Sequence, residues 1–321
     1  MPLKPSKTIW HDGKLVPWEQ ATVHVLSHAL HYGSSVFEGI RVYKTPQGPI
    51  GFRLSDHIHR MFDSAKIYRL KIPYSKQDLV TACKAVIREN GLTEGAYIRP
   101  IAFRGYGEMG VAGNPDEPAR CSIAAWEWGS YLGEGGLENG VDVCVSSWQR
   151  VAPNTVPALA KAGGNYLSSI LVTLEARRLG FAEGLALNSA GFVSEGAGEN
   201  LFLVRDGKIY TPPVAASILA GLTRDTVIKL AEDLGLEVVE QNIPRELLYI
   251  ADEVFLTGSA AEVTPVRSVD KIPVGTGKRG HVTEQVQRKF FGLFDGTTPD
   301  LRGWLEPILP SADGTDRSVA I

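Results

Sequence analysis

The stretch from Ala158 to Ser169 reads ALAKAGGNYLSS, a single lysine followed by two glycines and the start of a helical pattern. Upstream, VDVCVSSW from Val141 to Trp148 alternates and carries β-branched residues as a strand does. Downstream, Leu167, Ile170, Leu171 and Leu174 recur at helical spacing until Gly180. Lys161 thereby falls in a strand-to-helix connection. There a primary amine on a flexible stem can reach a carbonyl group, and partial desolvation favours its unprotonated, nucleophilic form. Gly163 and Gly164 permit close backbone approach. Most loop lysines are solvated charges without chemical duty, so this pattern alone assigns no function.

Outward from this stretch, a chain of 321 residues exceeds what one hydrophobic core usually organises, and two domains are expected. A hydrophobic content of 44%, a charged content of 21% and a net charge of −3 are those of a soluble globular protein, with no electrostatic reason to bind nucleic acid or an anionic membrane. Cys83, Cys121 and Cys144 form no CxxC or metal spacing. They read as small core residues of a protein in a reducing, cytoplasmic setting. MPLKPSKTIW has neither an apolar targeting core nor an Arg-rich amphipathic helix, and no run is long and apolar enough to span a bilayer, so no cleaved targeting sequence is expected. GTGKRG at Gly275 to Gly280 is not a phosphate loop, because Ile272 and Arg279 occupy the leading-glycine and Ser/Thr positions. GAG at Gly196 to Gly198 lacks the third glycine of a dinucleotide fingerprint, since Leu201 stands there. His24, His28 and His31 lie close in sequence without an HExxH or paired cysteines, so no metal site is expected.

In chain order, TIWHDGKLVPW predicts a hairpin about Asp12-Gly13, and LFLVRDGKIYT another about Asp206-Gly207. Ala21 to Val25 alternates as a strand. Gly33 and Gly39 interrupt any helix and set Tyr32, Phe37 and Arg41 around an irregular turn that suits a cavity wall or ordinary core. A helix is expected from Ser55, as N-cap, to Leu70, with Ile58, Met61, Phe62, Ala65 and Tyr68 on its apolar face and Arg60 off it. A second runs from Ser75 to Asn90 and ends at Gly91. Tyr97 and Arg99 alternate onto one face of a strand, a phenol and guanidinium pair suited to a carboxylate. Met109 and Val111 in the glycine-rich GYGEMGV suit an apolar wall or core. Asn114 to Ala119 reads as an exposed loop, SIAAWEW as a strand, and the glycine-rich Gly129 to Gly140 as an interdomain linker. GLALN and FVSE are short strands. A helix with Thr223 as N-cap, Val227, Leu230, Ala231 and Leu234 as buried stripe and Gly235 as C-cap offers Leu222 and Thr223 at an anion-friendly N-terminus, as every capped helix does. EVFLTGSAAEVTPV is a strand, a break at Gly258-Ser259 and a return. A helix near Thr283 to Phe294 closes the fold, and Pro310 to Ile321 reads as a disordered tail.

Several long words resemble one family in its own order: ALHYGSSVFEGIR, YIRPIAFRGYGEMGV, APNTVPALAKAGGNYLSS, SEGAGENLF and TGSAAEVTPV. They are similar to the bacterial branched-chain amino acid aminotransferases, fold type IV pyridoxal phosphate enzymes, from about Trp10 to about Trp304. The resemblance implies an α/β (α+β) fold with a small N-terminal domain over residues 1–130, a linker at 131–140, a larger C-terminal cofactor domain at 141–309 with a β-barrel-like core, and a tail at 310–321. It implies transamination between branched-chain L-amino acids and 2-oxoglutarate, with pyridoxal 5′-phosphate bound to Lys161. Glu195 then faces the cofactor's ring nitrogen, Tyr166 its phenolic oxygen, and Arg60, Leu222, Thr223 and Ser259 its phosphate. Relatives often have threonine where Ser259 stands, and serine keeps the hydroxyl. Phe37, Gly39, Tyr97, Met109, Val111 and Tyr131 match pocket positions, Arg99 one that takes the distal carboxylate of glutamate, and the Ser259, Ala260 and Ala261 backbone one near the substrate carboxylate. Tyr32 matches a residue lent to the neighbouring subunit, which implies a homo-oligomer. D-amino acid aminotransferases, (R)-selective amine transaminases and aminodeoxychorismate lyases share the lysine and glutamate. The YIR and GYGEMGV words favour the L-branched-chain form, with slow (R)-amine turnover as a side activity. A noncatalytic cofactor carrier would not need the apolar pocket together with Arg99.

Overall fold

The computed structural model describes residues 3–129, 132–133 and 135–309. Tyr131 and the tail from Pro310 lie outside the described residues. The chain divides into two compact units, Met1–Gly129 with Ala160–Gly164 and Leu293–Ile321, and Ser130–Leu159 with Asn165–Gly292. The five residues about Lys161 therefore belong with the first unit.

The first unit opens with β1 (Thr8–His11) and β2 (Lys14–Pro17), paired antiparallel across Asp12 and Gly13 at φ 44° and 92°. Both turn residues take positive φ, as a two-residue hairpin turn requires. Ala21–Val25 is not a strand. It pairs with no strand, Val23 and Val25 are 46% and 69% exposed, and alternation without an edge to pair on leaves coil. Next come α1 (His28–Tyr32), ended by Gly33 in the left-handed conformation, then β3 (Ser35–Phe37), β4 (Ile40–Thr45) and β5 (Gly48–Phe52). They are followed by α2 (Leu54–Ile67), α3 (Lys76–Asn90), β6 (Ala96–Phe103) and β7 (Arg120–Glu127). With a strand at Leu305–Pro307 these form an eight-stranded antiparallel sheet, ordered from that strand through β5, β4, β6, β7 and β1 to β2, with β3 also on β6. Ile58 and Met61 of α2 and Leu79, Val86 and Ile87 of α3 bury against Ile98 and Ile123 of the sheet. Ser75 and Asp78 form the capping box of α3, and Gly91 closes it at φ 65°. Ser55 is not the N-cap of α2. It sits inside the first turn, where its N–H and hydroxyl both donate to Glu306, which supplies the acceptor a cap would have given.

The second unit contains α4 (Gly136–Asn139), β8 (Val141–Val145), α5 (Tyr166–Arg178), β9 (Glu183–Leu187), β10 (Val193–Gly196), β11 (Asn200–Arg205) and β12 (Lys208–Thr211). It continues through α6 (Leu222–Asp233), β13 (Val238–Glu240), α7 (Leu247–Ile250), β14 (Glu253–Gly258), β15 (Glu262–Val269), β16 (Ile272–Pro273) and α8 (His281–Asp295) up to Gly292. Its nine strands run in the order β10, β9, β8, β15, β14, β11, β12, β13, with β16 on β15. The sheet is mixed, because β8 pairs parallel with both β9 and β15 while the hairpins pair antiparallel. The expected apolar stripe of α5 faces outward: Leu167, Ile170, Leu171 and Leu174 are 68, 52, 38 and 55% exposed. Ser169, Val172 and Ala176 are buried instead. Gly184 of β9 lies so close to Val172 that a Cβ there would collide with it, so small residues form the contact with the sheet. Thr223 is the second helical residue of α6 and Gly221 the N-cap, while Gly235 follows the C-cap Leu234 with φ 74°. The three cysteines are free and buried, and burial pushes the Cys121 and Cys144 thiols up to about 12 and about 11, as inert core residues.

Candidate active site

In the first unit the backbone of Lys161 is held from two sides. Its N–H donates to Ser64 Oγ of α2 at 3.0 Å, its carbonyl accepts from Phe37 N–H at 3.0 Å, and Ala162 bridges to Val36 of β3. The Lys161 amine stands 5.1 Å from the centre of the Phe37 ring. His57, Arg60 and Ser64 follow at helical spacing on α2, so one helix face meets both the lysine segment and the β3–β4 turn. Glu38, fully buried in that turn, accepts from Arg60 through Nε at 2.7 Å and Nη2 at 2.8 Å, and from His57 Nδ1 at 2.7 Å. Burial raises the proton affinity of the Glu38 carboxyl, but Arg60 and His57 outweigh it and hold the group well below the usual carboxylate range. For His57 burial dominates, and its pKa is lowered despite Glu38. Glu38 is therefore an anion and His57 a neutral ring carrying its proton on Nδ1.

The same turn meets β6. A Cβ at Gly39 would collide with the Tyr97 hydroxyl, which shows why glycine stands there. Tyr97 stacks on Trp128 with centroids 4.5 Å apart. The Arg99 guanidinium lies 4.7, 5.4 and 5.8 Å from the ring centres of Phe37, Tyr97 and Trp126. Its Nε is buried without a hydrogen-bond partner, so the aromatic faces hold the cation. Phe37, Gly39, Tyr97, Arg99 and Lys161 thus cluster around one turn, whose Glu38 holds Arg60. Tyr32, Met109 and Val111 do not join them and are 46, 42 and 85% exposed.

In the second unit Glu195 of β10 is buried, and its Oε1 pairs with Arg150 Nη2 at 2.6 Å. Its Oε2 accepts from Asn200 Nδ2 at 3.1 Å and from Leu219 N–H at 3.0 Å. A guanidinium and two neutral donors thus face this buried carboxylate. Arg150 was not legible in the sequence as a site residue. It follows β8 in an irregular stretch, and the only available signal was that a buried glutamate needs a countercharge. A Cβ at Gly221 would collide with the Asn200 amide, so the helix start of α6 abuts the group that orients Glu195. The N–H groups of the first turn, Leu222 and Thr223, have no acceptor within the helix, and Thr223 is 3% exposed. Ser259 and Ala260 form the turn between β14 and β15, and Ala261 precedes β15. Thr257 Oγ1 near that turn is buried without a hydrogen-bond partner. Tyr166 opens α5. An accepting carboxylate at Glu195, together with the donors of a helix N-terminus and the hydroxyls of Thr223 and Ser259, suits a ligand with a protonated ring nitrogen and an anionic phosphate.

The model of the class IV aminotransferases matches residues 35–269. The branched-chain-amino-acid aminotransferase of Salmonella typhimurium is 57% identical over 308 residues, spanning 96% of this chain and 99% of that protein. The crystal structure of the Escherichia coli branched-chain amino acid aminotransferase superposes with a TM-score of 0.94 at 56% identity, over 95% of this chain and 100% of that one. The T.th. branched-chain amino acid aminotransferase complexed with N-(5′-phosphopyridoxyl)-L-glutamate superposes with a TM-score of 0.90 at 46% identity, over 95% of this chain and 99% of that one. With these similarities over nearly its whole length, the chain belongs to the class IV aminotransferases and has their fold type IV architecture.

Proposed function

We propose that the chain is a pyridoxal 5′-phosphate-dependent branched-chain-amino-acid aminotransferase that moves the amino group between branched-chain L-amino acids and 2-oxoglutarate. The observation that carries this reading is the buried Glu195 carboxylate held by Arg150, Asn200 and Leu219. When bound, pyridoxal phosphate supplies an electron sink, which works best with its ring nitrogen protonated. Glu195 keeps that proton in place. Lys161 would hold the cofactor through its amine and, once the substrate amine has displaced it, the freed amine would move the proton on and off the substrate Cα as general base and acid. One amine on one face imposes stereochemistry. Arg60, the Leu222 N–H, Thr223 and Ser259 hold the phosphate, and Tyr166 donates to the phenolic oxygen. Tyr97 with the Ser259–Ala261 backbone takes the α-carboxylate.

Phe37, Gly39, Met109 and Val111 provide apolar surface for leucine, isoleucine or valine. Arg99 meets the distal carboxylate when glutamate or 2-oxoglutarate enters. A cation seated among Phe37, Tyr97 and Trp126 presents aromatic faces as well as charge, which suits a pocket that takes both side-chain types. The phosphopyridoxyl-L-glutamate complex of the T.th. relative supports a glutamate-binding pocket. Tyr32 is exposed, in keeping with its use across a homodimer contact. Three buried thiols suit a reducing compartment.

The test is the visible spectrum of the purified protein with pyridoxal phosphate, followed after separate addition of L-leucine, D-alanine and (R)-1-phenylethylamine. Rapid loss of the cofactor band with L-leucine is expected. A faster response to either other donor reassigns the substrate, and undiminished turnover by Lys161→Ala removes the lysine from the mechanism.

A further inference from the structure

Glu38 has no role in the reading above, yet it is a fully buried charge in the first unit. Its Oε2 also accepts a long bond from the Gly39 N–H at 3.4 Å, next to the pocket wall. It holds the guanidinium fork of Arg60 through Nε and Nη2, and it is itself held by His57 Nδ1. A bidentate carboxylate fixes the plane of a guanidinium as well as its position. The carboxylate cancels the charge of Arg60, so it adds no attraction for an anion. Its contribution is direction. The same helix carries Ser64, whose hydroxyl accepts from the Lys161 N–H. Glu38 also lies between Phe37, whose N–H binds the Lys161 carbonyl, and Gly39, which abuts Tyr97. Arg60 and Lys161 are thereby registered against one buried frame.

We propose that Glu38 is a positioning residue that, with His57 behind it, aims the Arg60 guanidinium at the cofactor phosphate. This rests on the assignment of Arg60 to the phosphate. An electrostatic role and a positioning role predict opposite signs. If only charge mattered, Glu38→Gln would leave Arg60 uncompensated and tighten phosphate binding. If Glu38 aims the fork, the same change lets the guanidinium turn and weakens it.

The experiment measures dissociation constants for pyridoxal 5′-phosphate and for pyridoxal, which lacks the phosphate, by absorbance titration of the apoprotein of each variant. Glu38→Gln is expected to weaken pyridoxal 5′-phosphate ~10-fold, equivalent to ~1.4 kcal/mol, and to leave pyridoxal unchanged. Arg60→Met is expected to lower the same affinity ratio at least as far, and Glu38→Gln added to it to lower the ratio no further. Glu38→Asp keeps the charge and draws the fork back by one methylene, so it carries the test if the glutamine variant does not fold. It is expected to weaken only the phosphorylated ligand. Tighter phosphate binding by Glu38→Gln, or equal weakening of both ligands while Arg60→Met lowers the ratio, overturns the role of Glu38 alone. An unchanged ratio in Arg60→Met overturns the phosphate assignment and this inference with it.

Discussion

At the scale of single residues, the ion pair of Arg150 with Glu195 is where structure adds most to sequence. Both side chains are under a tenth exposed, so neither charge is shielded by water. Removing one partner of such a pair leaves a buried charge uncompensated. Arg150→Met removes the charged partner of Glu195 and so weakens its hold on a protonated ring nitrogen. Glu195→Gln abolishes that hold. The glutamine variant is expected to lose roughly 100-fold in kcat/KM for L-leucine, the order of effect seen when one preorganised electrostatic partner is deleted. Arg150→Met should lose less, with its pH–rate profile displaced. Equal rates for wild type and Glu195→Gln in a single-turnover measurement would remove the carboxylate from the chemistry.

At the scale of elements, α2 ties the lysine segment to a buried titratable pair, and acid should test that tie. The His57 pKa is lowered from 6.5 and that of Glu38 from 4.5, so for each group the unfolded chain binds more protons than the folded one in the window below its ordinary value. Stability therefore falls as pH falls, first below 6.5 through His57 and then below 4.5 through Glu38, with a limiting slope of ~1.4 kcal/mol per pH unit per group. His57→Asn, whose amide can still donate to Glu38, should flatten the melting temperature between pH 6.5 and 4.5 and leave the steeper fall below it. An unaltered profile would show that His57 titrates as it does in the unfolded chain. Elements whose cause is local were legible in the sequence: the Asp12-Gly13 and Asp206-Gly207 hairpins, and α3 between its Ser75 box and Gly91. Where the cause is a distant partner, local pattern misled. Ala21–Val25 alternates but has no edge to join, Ser55 is satisfied by Glu306, and α5 turns its leucines outward because Gly184 admits only a close, small-residue contact. The lysine, Glu195 and the aromatic pocket residues were recognisable as words. Arg150 and Glu38 were not assigned roles, because only folding reveals which charge each one faces.

At the scale of the whole molecule, the exposed apolar residues carry the argument for a second copy. Leu167, Ile170, Leu171 and Leu174 form one outward helix face, and Leu30, Tyr32 and Val111 are exposed to 62, 46 and 85% on the first unit. Exposed apolar surface of this kind is what a contact with a second copy would cover. If Tyr32 completes the site of the neighbouring subunit, Lys161→Ala and Tyr32→Ala damage different chains of the same site. Each variant alone then forms dimers with two defective sites. Mixed by unfolding and refolding together, half the dimers pair one chain of each kind. In such a dimer the Tyr32→Ala chain keeps its own Lys161 and receives Tyr32 from its partner, giving one intact site. An equal mixture should therefore recover about a quarter of the wild-type turnover per chain, while the separate variants remain poor. Recovery that grows with total protein concentration and saturates would show that the intact site is assembled between subunits. No recovery, from a mixture shown by sedimentation to contain dimers, would place Tyr32 at the site of its own chain.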